Sequence, residues 1–272
     1  MKKHTHATLG ILGLALFAGA SQASADVESL IGTDVTGEIS AGWDSRYFYR
    51  GLWFGDETTW TNIEFSKELA SNLTGSVNLF YTDVMDDALS YSEGNLGAAL
   101  SYDAGFGTFD FGFVHFRFYD GFAGTSRGGT RATGVNGNDE ANEFNFTYSQ
   151  DLLWGFSGHL LVARDLTIDG TYGEFGISRS WDLYSNIGLD FSAAAGYSLD
   201  NYYSANLGNG DDSEGWTHTV ISLALPIALT DTATLTPHVT ANISHESRDS
   251  SNTGADRGDT EVFYGASMSV SF

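Results

Sequence analysis

Apolar and polar residues alternate with a period of two along most of this chain, most clearly at its end. In Glu261–Phe272, EVFYGASMSVSF, one face carries Val262, Tyr264, Ala266, Met268, Val270 and Phe272. The other carries Glu261, Phe263, Gly265, Ser267, Ser269 and Ser271. Successive side chains on an extended strand point to opposite sides, so the pattern predicts a strand with one apolar and one polar face. It recurs at residues 35–49, 58–69, 73–83, 93–103, 108–119, 140–150, 155–165, 172–182, 187–199, 216–227, 234–245 and 260–272, which makes twelve strands. Most are 11–13 residues long, enough for a tilted strand to cross a bilayer.

The connections alternate too. After even-numbered strands they are short: Ala70–Asn72, Ala104–Gly107, Asp151–Trp154, Leu183–Asn186 and Ala228–Ala233. After odd-numbered strands they are mostly longer and polar: Arg50–Glu57, Val84–Ser92, Asp120–Asp139, Leu166–Thr171, Asp200–Gly215 and Glu246–Asp259. Short turns on one rim and long loops on the other predict an all-β fold, a membrane-spanning antiparallel up-and-down β-barrel of about twelve strands over residues 26–272. Both of its ends then lie on the short-turn, periplasmic rim. A soluble β-sandwich shares the alternation and regular turns, but not the alternating connection lengths.

Composition refines this picture. The chain starts MKKHTHATLGILGLALFAGASQASA, with Lys2 and Lys3, an apolar stretch from Leu9 to Ala20, and Ala23-Ser24-Ala25. These are the three parts of a secretory signal peptide, predicting cleavage near Ala25, a mature start at Asp26, and export through the periplasm to the outer membrane. There is no cysteine, so no disulfide scaffold. No second apolar run approaches the length of a transmembrane helix. The formal charge is −23, and it grows more negative once the two leading lysines leave, with Lys67 the lysine that remains. Phosphate contacts need a basic face, so nucleic acid is excluded as a partner. The 33 glycines and 2 prolines, with 13 tyrosines and 19 phenylalanines, suit a sheet protein with many turns; a disordered acidic chain would lack the aromatics.

Strand parity sorts the side chains. Inward positions are mostly Ser, Thr, Gly, Asn and acids, which suits a water-filled lumen; Phe48, Phe80, Leu161 and Phe263 are exceptions that narrow it. Glu38, Asp44, Glu64, Glu68, Asp110, Glu143, Glu174, Asp190 and Glu261 point inward, against Arg46 and Arg50. A wall of carboxylates in a low-dielectric tube concentrates cations; the plainer reading is solvated acids with no transport role. Trp43, Tyr47 and Tyr49 fall outward at the upper rim, and Trp181 and Phe272 outward near the lower one, where aromatic girdles belong. Lys67 and Arg179 also fall outward, close enough to the lower rim to snorkel. On the fifth strand, Phe109, Phe111 and Phe113 face out, and the same parity takes His115 and Arg117 out as well. Either a bulge near Val114 or extension beyond the bilayer accounts for this.

The stretch Asp44–Trp60, DSRYFYRGLWFGDETTW, interleaves aromatics with both inward arginines. A hairpin centred near Phe54 sets Arg46 opposite Asn62 and diagonal to Glu64. Barrel closure brings Glu261 near Arg50, predicting an arginine–carboxylate network at the extracellular mouth. Loop Asp200–Gly215 is acidic without the spacing of a calcium loop, so surface solvation is its reading. The glycine-rich loop Asp120–Asp139 is either a constriction folded into the lumen or a mobile loop. His159, His218 and His238 face inward on separate strands with no nucleophile beside them, and His245 lies near Glu246 at a rim. No acid–base site converges, so no enzyme and no cofactor are expected.

Two segments carry resemblances. The last strand, Tyr264–Phe272, ends in phenylalanine and resembles the signal read by the outer-membrane barrel assembly machinery. SRYFYRG, Ser45–Gly51, resembles the first hairpin of the TorF-like family of outer-membrane porins, whose S-x-Y-x-x-R-G segment matches Ser45, Tyr47, Arg50 and Gly51. The chain departs from that family in continuing with Leu52-Trp53-Phe54 rather than a small polar segment. The resemblance implies a porin without a defined substrate. Other twelve-stranded barrels, similar in strand number, take up acidic oligosaccharides along arginine tracks, which the acidic inner face here argues against. The expected function is passive diffusion of small polar or cationic solutes, with lipid and lipopolysaccharide around the wall. The alternative is a non-conducting scaffold or adhesin; an outer-membrane hydrolase would require His159 or His245.

Overall fold

A computed structural model describes residues 35–85, 91–119, 125–126, 129–130, 140–200, 202, 214–245 and 260–272. The expected signal peptide lies outside these residues. So does the loop Asp120–Asp139, apart from a two-residue ladder of Thr125–Ser126 with Gly129–Thr130.

Twelve long strands form one antiparallel sheet: β1 (Val35–Tyr49), β2 (Leu52–Ala70), β3 (Leu73–Val84), β4 (Tyr91–Asp103), β5 (Thr108–Phe118), β6 (Glu140–Asp151), β7 (Ser157–Asp165), β8 (Gly170–Tyr184), β9 (Ile187–Leu199), β10 (Gly215–Ala224), β11 (Ala233–Ser244) and β12 (Thr260–Ser271). Each pairs with its sequence neighbours. β12 pairs back onto β1 from Glu38↔Ser271 to Asp44↔Gly265, so the sheet closes into a barrel. Closure leaves no unpaired edge. Past Leu225-Pro226, the two-residue segment Ile227–Ala228 continues the line of β10 between β9 and β11. Proline has no N–H for a ladder, so the strand breaks there and resumes.

Alternation decides which side is which. Val77, Leu79, Leu96, Leu100, Phe111, Phe144, Leu160, Val162, Val239 and Val262 are exposed on the outer face. The other set, including Thr58, Thr82, Glu93, Glu143, Tyr172 and Asn242, is buried inside. Trp43 packs on Tyr264 outside, 5.8 Å between rings. Phe272 lies edge-on to Phe65, over Gly37, whose missing side chain leaves the space the ring occupies. Arg179 sits over the rings of Trp181 and Phe156.

The fifth strand is regular. β5 pairs without a register shift with both β4 and β6 from Thr108 to Arg117. No bulge occurs at Val114; His115 and Arg117 stay on the outer face near the loop rim, where they bond Asn142 and Glu140.

The first hairpin departs from expectation. Its turn is Arg50-Gly51, not a loop centred near Phe54, and β2 begins at Leu52. Both turn residues have positive φ, 49° at Arg50 and 77° at Gly51, the backbone of a two-residue type I′ turn. The β1–β2 register shifts between Tyr47 and Phe48, while β2 carries Gly55 at φ 155° and Glu57 at φ 53°. Such irregularities re-aim a strand.

Candidate functional site

The inner wall is built on a repeated pairing of a long polar side chain with a glycine on the adjacent strand. Asn78 lies over Gly97, Asn145 over Gly112, His159 over Gly176, and Trp60 over Gly42, in positions a Cβ would occupy. Side chains that would otherwise project into the lumen lie flat along the wall. The same device spans two strands at the seam. Gly265 on β12 stands between Asp44 of β1 and His238 of β11, and His238 Nε2 reaches Asp44 Oδ1 at 2.7 Å across it. Trp60 Nε1 donates to the other Asp44 oxygen at 2.7 Å.

The eleven charged lumen candidates divide into two groups. Six have partners. Asp44 is held by His238 and Trp60; Glu174 accepts from Tyr172 and faces His159 Nε2 at 3.1 Å. Arg46 bonds Glu261 across the seam and lies 3.4 Å from Asp56. Arg50 forms a two-pronged ion pair with Glu143, at 2.5 and 2.7 Å. The other five, Glu38, Glu64, Glu68, Asp110 and Asp190, make no ion pair among the described residues. Glu38 and Glu64 are exposed and stand directly opposite each other. They line a cavity of about 420 Å³ at the turn rim together with Thr36, Ser66 and Ser271.

Burial of the inward residues rises steadily toward the loop rim. On β3, Ser76, Asn78 and Phe80 are half-buried, whereas Thr82 and Val84 are buried; β4, β6 and β7 show the same gradient. The filling comes from the tip of the β1–β2 hairpin. Tyr47 donates to Glu93 on β4 at 3.0 Å and stacks on Tyr91. Tyr49 packs edge-on against Phe116 of β5. Leu52 is buried in one cluster with Phe116, Ala141, Ala163, Ile168, Tyr172 and Tyr202. Phe48 stacks on Phe263 of β12. Gly51 abuts the ring of His218 on β10, and its carbonyl accepts from Asn242 on β11 at 3.4 Å. The tip therefore touches wall strands around nearly the whole ring.

Arg50 is the centre of this filling. Its guanidinium packs 4.7–5.5 Å from the centres of the Tyr49, Tyr172 and Tyr202 rings and donates to the Tyr202 hydroxyl at 2.8 Å.

These placements correct several expectations. Tyr47 and Tyr49 are not outward girdle residues: the hairpin tip lies inside the lumen, and both side chains meet inner-wall residues, Glu93 and Phe116. Arg46 faces Asp56, not Asn62, which pairs with Ser40. Glu261 meets Arg46 rather than Arg50, whose carboxylate is Glu143 on the far wall. Sequence reasoning missed Glu93, Tyr91, Tyr172, Tyr202 and Gly265 as parts of the site. The one available signal was the cluster of inward tyrosines and acids near the loop ends of β4 and β8.

No protein-family model matches the chain, and no curated protein matches it. Among solved structures it is similar to the KdgM porin, at 10% identity and a TM-score of 0.48, covering 86% of this chain and 99% of that one. It is similar to the translocator domain of the autotransporter NalP from Neisseria meningitidis, at 12% and 0.48, covering 97% of each. It is also similar to the COG4313 outer membrane channel from Pseudomonas putida F1, at 10% and 0.46, covering 88% and 95%. At these identities and overlaps the likeness adds nothing to what the strand register establishes.

Proposed function

We propose that this protein is an outer-membrane channel through which small polar or cationic solutes diffuse. The observation that carries the reading is the two-sided wall. Its outer face exposes large apolar side chains around the barrel, far beyond the few hundred Å² a soluble monomer tolerates. Toward the turn rim its inner face is mostly Ser, Thr, Asn, Gly and carboxylate. Lipid and lipopolysaccharide satisfy the first face and water the second. On the same reading the Phe272 strand is the segment met by the assembly machinery. Glu38, Glu64, Glu68, Asp110 and Asp190, which make no ion pair among the described residues, bias the lumen toward cations.

Planar-bilayer recording tests this, using the wild type and a form with residues 47–55 replaced by a short turn. Single-channel steps are expected, with a reversal potential of cation-selective sign in a potassium chloride gradient. Glu38→Gln with Glu64→Gln moves that potential toward zero. No steps from either form sinks the channel, and an anion-selective sign sinks the account of the acids. The filled loop rim favours a second reading, a closed barrel serving as scaffold or adhesin; that reading predicts no steps from either form.

A further inference from the structure

The segment filling the loop-rim end of the lumen is a continuation of two wall strands. It is anchored at its far end by an ion pair. Arg50 occupies the first position of a two-residue turn, the point of the hairpin most distant from its root. From there it crosses the lumen to Glu143 on β6, whose side chain is 2% exposed. At the root, Arg46 is tied to Glu261, and Ser45 Oγ accepts from the Tyr264 backbone N–H at 3.0 Å. Between root and tip lie the register shift at Tyr47/Phe48 and the unusual backbone at Gly55 and Glu57. The arrangement is a fixed base, a bend and a distal latch. Below the tip, the inward wall is polar and partly solvent-exposed down to Glu38 and Glu64.

We propose that the tip of the β1–β2 hairpin is a built-in plug that keeps the channel shut, latched to the opposite wall by the Arg50–Glu143 ion pair, and that solutes pass when this latch releases. The proposal rests on the channel reading and assigns its regulation. The four residues of the Ser45–Gly51 motif then have separate tasks. Ser45 fixes the root to the seam, and Tyr47 binds Glu93 on the near wall. Arg50 is the latch. Gly51 allows the turn and fits beneath His218, where a Cβ would overlap the ring. A bidentate guanidinium–carboxylate pair is strong while both partners are present, and loss of either strands a buried charge.

The chain contains no cysteine, which permits a reversible test. Arg50→Cys with Glu143→Cys removes the latch, and a cleavable bifunctional thiol reagent restores a tether in the same molecules. The bilayer recording compares wild type, the unbridged double variant, the bridged form and the bridged form after reduction. The expected result is a wild type that opens rarely and an unbridged variant that loses the packing of both long side chains along with their charges, so that its open fraction is roughly tenfold or more higher. Bridging silences the variant and reduction restores its current, so loss of folding cannot mimic the outcome. Equal open fractions in wild type, bridged and unbridged forms overturn the plug and leave the channel standing. No current in any form, including the one lacking residues 47–55, overturns the channel reading and the plug with it.

Discussion

At the scale of single residues, Arg50 combines two costs that its contacts offset. A non-glycine residue at φ 49° is disfavoured by roughly 1–2 kcal/mol, and its guanidinium is taken out of water. Truncating one member of a buried pair costs about 3–5 kcal/mol, whereas replacing both by apolar groups of similar volume is often neutral. Glu143→Leu alone is therefore expected to open the channel, while Arg50→Met with Glu143→Leu keeps the tip seated among Tyr49, Tyr172 and Tyr202. Single-channel open fraction checks both. Should the double variant open as fully as the single one, packing does not hold the tip. Gly51→Ala adds a strain of about 1 kcal/mol at φ 77° and an overlap with His218, so it shifts the channel toward the open form by the same measurement.

At the scale of elements, the strands were legible because period two persists through each of them; eleven of the twelve spans match within three residues, and the second begins six residues earlier than expected, at Leu52. The first hairpin was misread for a physical reason. Gly55, Asp56 and Glu57 have the composition of a loop, yet they continue β2 through a bend. Arg50-Gly51 lacks the Asn-Gly or Asp-Gly signature of a tight turn. Parity sorts inside from outside only while a strand stays in the wall; at the tip both faces of the hairpin meet inner-wall residues, Phe48 and Arg50 on one side and Tyr47 and Tyr49 on the other. The chemistry of the stretch was visible, as Arg46, Arg50 and the acids show; its partners were not, because Glu93 and Glu143 lie on strands that only closure brings opposite. Gly265 was invisible for the same reason, since its role depends on both neighbours. Gly265→Ala places a methyl group where Asp44 and His238 meet. The expected cost is about 1–3 kcal/mol of buried hydrogen bonding, measured as a lower denaturant midpoint. Ser267→Ala on the same strand face should stay within about 0.5 kcal/mol, and equal losses in the two variants would refute the seam's dependence on that gap.

At the scale of the whole molecule, the lumen has two unlike halves. The loop-rim half is filled with aromatic rings and compensated charge. The turn-rim half is lined by hydroxyls, amides, glycine and carboxylates without ion-pair partners among the described residues. On the proposed channel reading, selectivity belongs to one end and closure to the other. Screening separates them experimentally. The Debye length is about 10 Å at 0.1 M salt and about 3 Å at 1 M, so cation preference is expected to fall steeply over that range. The closed fraction should change little, because the Arg50–Glu143 pair is shielded from bulk ions. A closed fraction that collapses with salt as selectivity does would mean that the latch is exposed to solvent. The placement of Arg50 has one more consequence. The moving tip carries a positive charge while its partner, Glu143, stays with the wall, so swinging the tip outward performs electrical work. Carrying one elementary charge across a full membrane potential of 100 mV is worth about 2.3 kcal/mol, and a partial excursion is worth a proportionate fraction. In an oriented bilayer, opening should be favoured when the loop side is negative and opposed when it is positive. The barrel would then behave as a rectifier whose polarity is written by a single arginine.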